Sequence, residues 1–189
     1  MESFFKLLTS IIEINETDRT FIASMLKPKE IEKGTILLNQ GDVEKYVGFI
    51  ENGIFRHYSI NQNGKEVSLL FTFENWFVGE LSSFLTQTPS YCFIEALTEA
   101  KIWQLSYDNM QKVYAHTTVG NKFGRIMMEQ VYIRKAERER NLLMMNAEER
   151  YLDLIRQAPH ILQNIPLKYI ASYLGITPQA LSRVRKNIN

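Results

Sequence analysis

A single cysteine, Cys92, stands in 189 residues. No intramolecular disulfide can form, and a cysteine-ligated iron–sulfur cluster lacks its ligands. No run comes near eighteen consecutive apolar residues, which excludes a membrane-spanning helix. The opening stretch "MESFFKLLTSIIEINETDR" has an acidic second residue and no small-residue cleavage site after its apolar positions. It makes a poor signal peptide, so a reducing cytoplasm is the expected compartment and no membrane is involved. His57, His116 and His160 lie far apart without metal-ligand spacing, so no metal centre is expected. A nucleotide-binding glycine loop, a nucleophile elbow and a paired-histidine motif are also missing. Glu80 is a lone carboxylate with no partner at catalytic spacing. No enzyme and no cofactor is expected.

An excess of charge is absent as well, since the net value is only +1. That near-neutrality hides an uneven distribution. Residues 146–189 hold six bases (Arg150, Arg156, Lys168, Arg183, Arg185, Lys186) against three acids (Glu148, Glu149, Asp153), and the rest of the chain is slightly acidic. Such a split suggests that one end meets a polyanion.

What is present divides by texture. Residues 3–26 read as helical, with Phe4, Leu7, Leu8, Ile11, Phe21, Ile22 and Met25 on an apolar face, until Lys27-Pro28 ends the run. From 29 to 106, short apolar runs are cut by turn signals at Gly34, Gly41-Asp42, Asn52-Gly53 and Asn63-Gly64. This spacing predicts an antiparallel barrel or sandwich, and Asn63-Gly64 predicts a hairpin closed by a type I′ turn.

A helical period returns over about 107–145. Val119, Phe123, Ile126, Gln130 and Ile133 form a stripe that could bury against its own domain or against a twin. The charged "RKAERER" on the other face favours the twin and a dimer seam over 119–133. Asn146 and Glu149 predict a capping box that opens a helix over 147–157, which Pro159 stops.

The last stretch, "YIASYLGITPQALSRVRKNIN", predicts two short helices over about 167–174 and 178–187. Thr177 is placed to cap the second, Pro178 to occupy its first position, and Gly175 to supply the left-handed turn between them. Ile170, Leu174, Ile176, Leu181 and Val184 would pack the pair, with Ala171 at the crossing. Thr177, Gln179, Ser182, Arg183 and Lys186 are the expected DNA-binding residues of this helix-turn-helix. Gln can pair with adenine and Arg with guanine, while Ser and Lys more often hold phosphate. The other reading is a helical hairpin whose basic face meets only water.

Across nearly its whole length the chain resembles the Crp/Fnr family of bacterial transcription regulators. The resemblance rests on the leading helix, the glycine-punctuated strands, Gly79-Glu80-Leu81, the long helix, a hinge at Asn146 and above all Gly175-Ile176-Thr177 before the last helix. It implies an α+β fold: an N-terminal cyclic-nucleotide-binding-like antiparallel β-roll, a long dimerisation helix and a C-terminal helix-turn-helix. It places a sensor domain with its dimerising helix (about 107–145) at 1–145 and a DNA-binding domain at 146–189. It implies a cytoplasmic homodimer that binds double-stranded DNA, with RNA polymerase as a further candidate partner and a small-molecule effector. The family's base-reading positions fall on Gln179 and Arg183, while Pro178 replaces the basic residue often found there.

By the same resemblance, Gly79, Glu80 and Leu81 open a phosphate cassette. The family's phosphate-binding Arg and its hydroxyl neighbour fall on Ser90 and Tyr91, and the adenine-contacting pair falls on Lys135 and Ala136. A buried phosphate without a cation is costly. The candidate effector pocket of Gly79, Glu80, Leu81, Ser90, Tyr91 and Lys135 is therefore not expected to bind cyclic AMP, and a regulator that needs no ligand is a further reading, which Ser90 favours. The alternative to a DNA regulator is a ligand-binding or protein-interaction module of the same fold.

Overall fold

Two helices lead into the strands: α1 (Glu2–Ile11) and α2 (Glu16–Met25). The computed structural model, which describes residues 1–159 and 161–188, thus breaks the helix expected over 3–26. The break is local chemistry. Ile12 turns extended, and the Asn15 side chain accepts from the Asp18 amide to start α2 afresh.

Eight strands follow: β1 (Lys27–Ile31), β2 (Ile36–Leu38), β3 (Tyr46–Asn52), β4 (Phe55–Ile60), β5 (Glu66–Thr72), β6 (Phe77–Val78), β7 (Phe93–Ala96) and β8 (Ala100–Ser106), with the short helix α3 (Leu81–Thr86) after β6. They form two four-stranded sheets, ordered β1-β8-β3-β6 and β2-β7-β4-β5. Between them lie Ile31, Leu38, Ile50, Phe55, Val78, Ile94 and Ile102, all buried. The texture predicted an antiparallel barrel or sandwich and the resemblance a β-roll; the two antiparallel sheets fit both, and the protein is α+β.

The β4–β5 hairpin is where it was expected, but its turn is of another kind. Gly64 donates to the Asn61 carbonyl at 2.9 Å, and Asn61 N–H reaches the Lys65 carbonyl at 2.9 Å. Only Gly64 of the Asn63-Gly64 pair has positive φ, so this is a type I turn followed by a glycine bulge. The Asn61 side chain accepts from the Asn63 and Lys65 amides, which stabilises that turn over the type I′ alternative.

The helix expected over about 107–145 is two helices, α4 (Tyr107–His116) and α5 (Gly120–Met144). Buried Asp18 explains the interruption. Its carboxylate accepts from the Thr118 amide at 2.9 Å and hydroxyl at 2.6 Å, holding the link extended. Val119 is 5 % exposed and belongs to the core formed by Phe4, Phe5, Leu8, Ile22 and Phe49. Phe123 packs edge-on to Phe4 and Phe77, at 6.2 and 6.4 Å. The first residues of the expected seam therefore serve their own domain.

Among the described residues four more helices follow: α6 (Ala147–Gln157), α7 (Ile161–Asn164), α8 (Leu167–Tyr173) and α9 (Pro178–Ile188). α6 opens with the expected capping box, Asn146 accepting from two amides while Glu149 takes the Asn146 amide. α7 was not foreseen; one turn of helix is too short to show a period. The chain forms two compact units, one of residues 1–57 and 71–128, the other of residues 58–70 and 129–189.

Candidate nucleic-acid interface and effector cassette

The end of α8 is shaped by backbone bonds that glycine makes available. The Ile176 amide donates to the Ala171 carbonyl at 3.0 Å and the Gly175 amide to the Ser172 carbonyl at 3.1 Å. With Gly175 at φ +71° this is the Schellman arrangement. Thr177 then caps α9, its hydroxyl accepting from the Ala180 amide at 3.1 Å, and Pro178 takes the first helical position. Ile170, Ala171, Leu174 and Leu181 are buried and Ile176 and Val184 half-buried. The helix-turn-helix is the expected one in every position that sets its geometry.

Thr177, Gln179, Ser182, Arg183 and Lys186 all lie exposed at the start or on the surface of α9. Among the described residues, neither Arg183 nor Lys186 has an ion-pair partner. Two cationic side chains and three neutral hydrogen-bonding ones thus share a surface free of acid, which suits base edges and phosphates.

Sequence reading missed what holds α8. The Arg138 guanidinium on α5 donates to the Tyr173 carbonyl at 3.1 Å and lies 3.7 Å from the centre of its ring. Arg150 on α6 donates to the Leu174 carbonyl at 3.2 Å and also reaches the Met145 carbonyl. Two cations thus satisfy carbonyls at the negative end of α8. Their partners are 35 and 24 residues away, so local spacing carried no sign of them.

In the roll, Gly79, Glu80 and Leu81 stand at the start of α3. Glu80 is only 6 % exposed, and its carboxylate accepts from the amides of Ser82 at 3.1 Å and Ser83 at 2.7 Å. The donors at the head of that helix are thereby taken by the chain's own anion. A second buried carboxylate, Glu44, accepts from the amides of Glu80 and Tyr46, both at 3.2 Å. Burial holds the Glu44 pKa above the usual carboxylate range, and the Glu80 charge adds to that.

Ser90 is buried, and its hydroxyl closes its own turn, donating to the Cys92 carbonyl at 2.8 Å and accepting from the Cys92 amide at 3.1 Å. Tyr91 is 57 % exposed, its phenol raised by burial and then by the Glu80 charge. Burial pushes the Cys92 thiol up to about 11, which disfavours the reactive thiolate at neutral pH. Five of the six expected effector residues therefore belong to the first unit. The sixth, Lys135, is exposed on the part of α5 that belongs to the second.

His57 is buried in β4 and His116 stacks edge-on to Phe21 at the end of α4. His160 lies outside the described residues. Among the described residues no His/Cys/Asp/Glu group could hold a metal ion, and no helix is long and apolar enough to cross a membrane.

The cyclic nucleotide-binding domain model matches residues 28–117. The chain is 25 % identical over 186 residues to the anaerobic regulatory protein of Haemophilus influenzae, covering 90 % of this chain and 70 % of that one. Among solved structures it is similar to a transcriptional regulator described as Crp/Fnr, from Eubacterium rectale. The TM-score is 0.69 at 18 % identity, over 92 % of this chain and 83 % of that one. Cyclic-AMP-bound PfPKA-R matches 59 % of this chain with a TM-score of 0.52 at 22 % identity, and the chain spans only 40 % of that one.

Proposed function

We propose that the chain is a transcription regulator of the Crp/Fnr type, a reading its similarity to such regulators supports, and that it reads specific double-stranded DNA as a cytoplasmic homodimer through α9. In this reading Arg183 meets the O6/N7 edge of guanine and Gln179 adenine, while Thr177, Ser182 and Lys186 hold phosphate. Residues 146–189 are the reader, and residues 1–145 sense and dimerise. RNA polymerase is a candidate further partner. The observation that carries the reading is the acid-free exposed face of α9 behind a fully formed Schellman turn.

The effector is not a cyclic nucleotide. Glu80 already occupies the amides of α3, Glu44 adds a second carboxylate beside it, and Ser90 supplies no cation. A phosphate there would meet two acids and no countercharge, which opposes its burial. An effector acts only by binding one orientation of the reading helices better than another.

Binding to a random duplex at increasing salt tests the reader. Log affinity should fall linearly and steeply with log salt as counterions are displaced. No binding at low salt, or binding indifferent to salt, would leave a ligand-binding or protein-interaction module instead.

A further inference from the structure

The order β2-β7-β4-β5 leaves β5 at the edge of its sheet. On an edge strand alternate residues turn an amide and a carbonyl outward, with no strand to receive them. The Asn61–Lys65 bond faces Lys65 toward β4, so Glu66 and Ser68 turn their backbone groups away from β4. One side chain meets both. The Ser172 hydroxyl accepts from the Ser68 amide at 3.0 Å and donates to the Glu66 carbonyl at 3.5 Å.

A serine inside a helix commonly bonds back to its own preceding turn. Ser172 instead stands where a neighbouring strand would stand. Together with the Arg138 and Arg150 bonds it fixes three consecutive residues, Ser172, Tyr173 and Leu174, to β5, α5 and α6. None of these bonds touches the exposed face of α9. They set where α8 sits, and the Schellman turn passes that placement to α9.

We propose that Ser172 is a positioning residue for DNA reading, docking α8 on the open edge of β5 so that the recognition helix keeps a fixed aim. This rests on the DNA-reading function proposed above. The β4–β5 hairpin is then part of the reading apparatus, and a change in the hairpin reaches the recognition helix through Ser172.

Ser172→Ala and Ser172→Thr in the full chain test this. Alanine is the best helix former, so α8 itself should stay intact. In Ser172→Ala the Ser68 amide should exchange with solvent faster, while Ser172→Thr keeps its protection. On DNA, Ser172→Ala should lose preference for the selected half-site spacing over one lengthened by a base pair, by roughly threefold to tenfold, the reach of one hydrogen bond. Its affinity for random duplex should be unchanged, and Ser172→Thr should restore the spacing preference. Unchanged Ser68 exchange in Ser172→Ala would overturn the contact. An equal loss of affinity on every duplex would overturn the positioning role and leave a merely structural one. Failure of the wild-type chain to bind any DNA would overturn the DNA-reading function itself, and that result is told apart by the wild type alone.

Discussion

Arg183 sits on the exposed face of α9, with Leu181 beneath it buried in the helix-turn-helix. Arg183→Ala should lower specific DNA affinity by about 1–3 kcal/mol and relax preference at one base of each half-site. Quantitative binding across single-base operator variants checks this, and uniform weakening would assign Arg183 to phosphate. At the other end of the chain, His57 is a buried imidazole whose Nε2 has no hydrogen-bond partner among the described residues. Burial lowers its pKa from 6.5 to about 4. The folded protein then binds fewer protons than the unfolded chain between those values. Stability should therefore fall as pH drops from about 6.5 to about 4, by up to about 3 kcal/mol, and level off below. Glu44, raised above its ordinary 4.5, acts in the opposite sense as pH rises past that value. Urea unfolding of wild type and His57→Phe across this range isolates the histidine. The wild type should lose more stability than the variant, and parallel profiles would contradict the assignment.

Elements differ in how much of them could be read from the sequence. The capping box at Asn146, the α9 cap at Thr177 and the left-handed Gly175 were legible because each is made by residues within a few positions. The break between α4 and α5 was not, since Asp18 imposes it from 100 residues away. Nor was the role of Glu80. Its motif matched a phosphate cassette, but which anion occupies the amides of α3 depends on the fold. The cassette should consequently give no saturable heat with cyclic AMP or cyclic GMP at micromolar protein. A missing charge-assisted partner costs on the order of 2–5 kcal/mol, enough to turn micromolar into roughly millimolar binding. A low micromolar dissociation constant would contradict that account.

The proposed dimer seam lies further along α5 than the stripe over 119–133 predicted. Met128, Tyr132 and Ile133 are exposed, Tyr132 at 73 %, whereas Val119 is buried in its own domain. Ile133→Glu should yield monomer in sedimentation with an unchanged unfolding midpoint. Val119→Glu should instead lower that midpoint, because it puts a charge into a packed core. Unchanged mass for Ile133→Glu would place the interface elsewhere.

At the scale of the whole molecule, the account requires two reading helices related by a twofold axis. A symmetric dimer recognises a symmetric site, and major-groove access recurs once per helical turn, ~34 Å, or a multiple of it. The uneven charge along the chain fits this division, since the six bases of residues 146–189 accompany the reader rather than the roll. Selecting bound sequences from a random DNA pool with the purified chain, with and without cell extract, tests the claim most directly. An inverted repeat with half-sites one turn or a multiple apart is the result predicted, enriched in one or both conditions. Absence of any enriched motif in both, or a single asymmetric site, would contradict it.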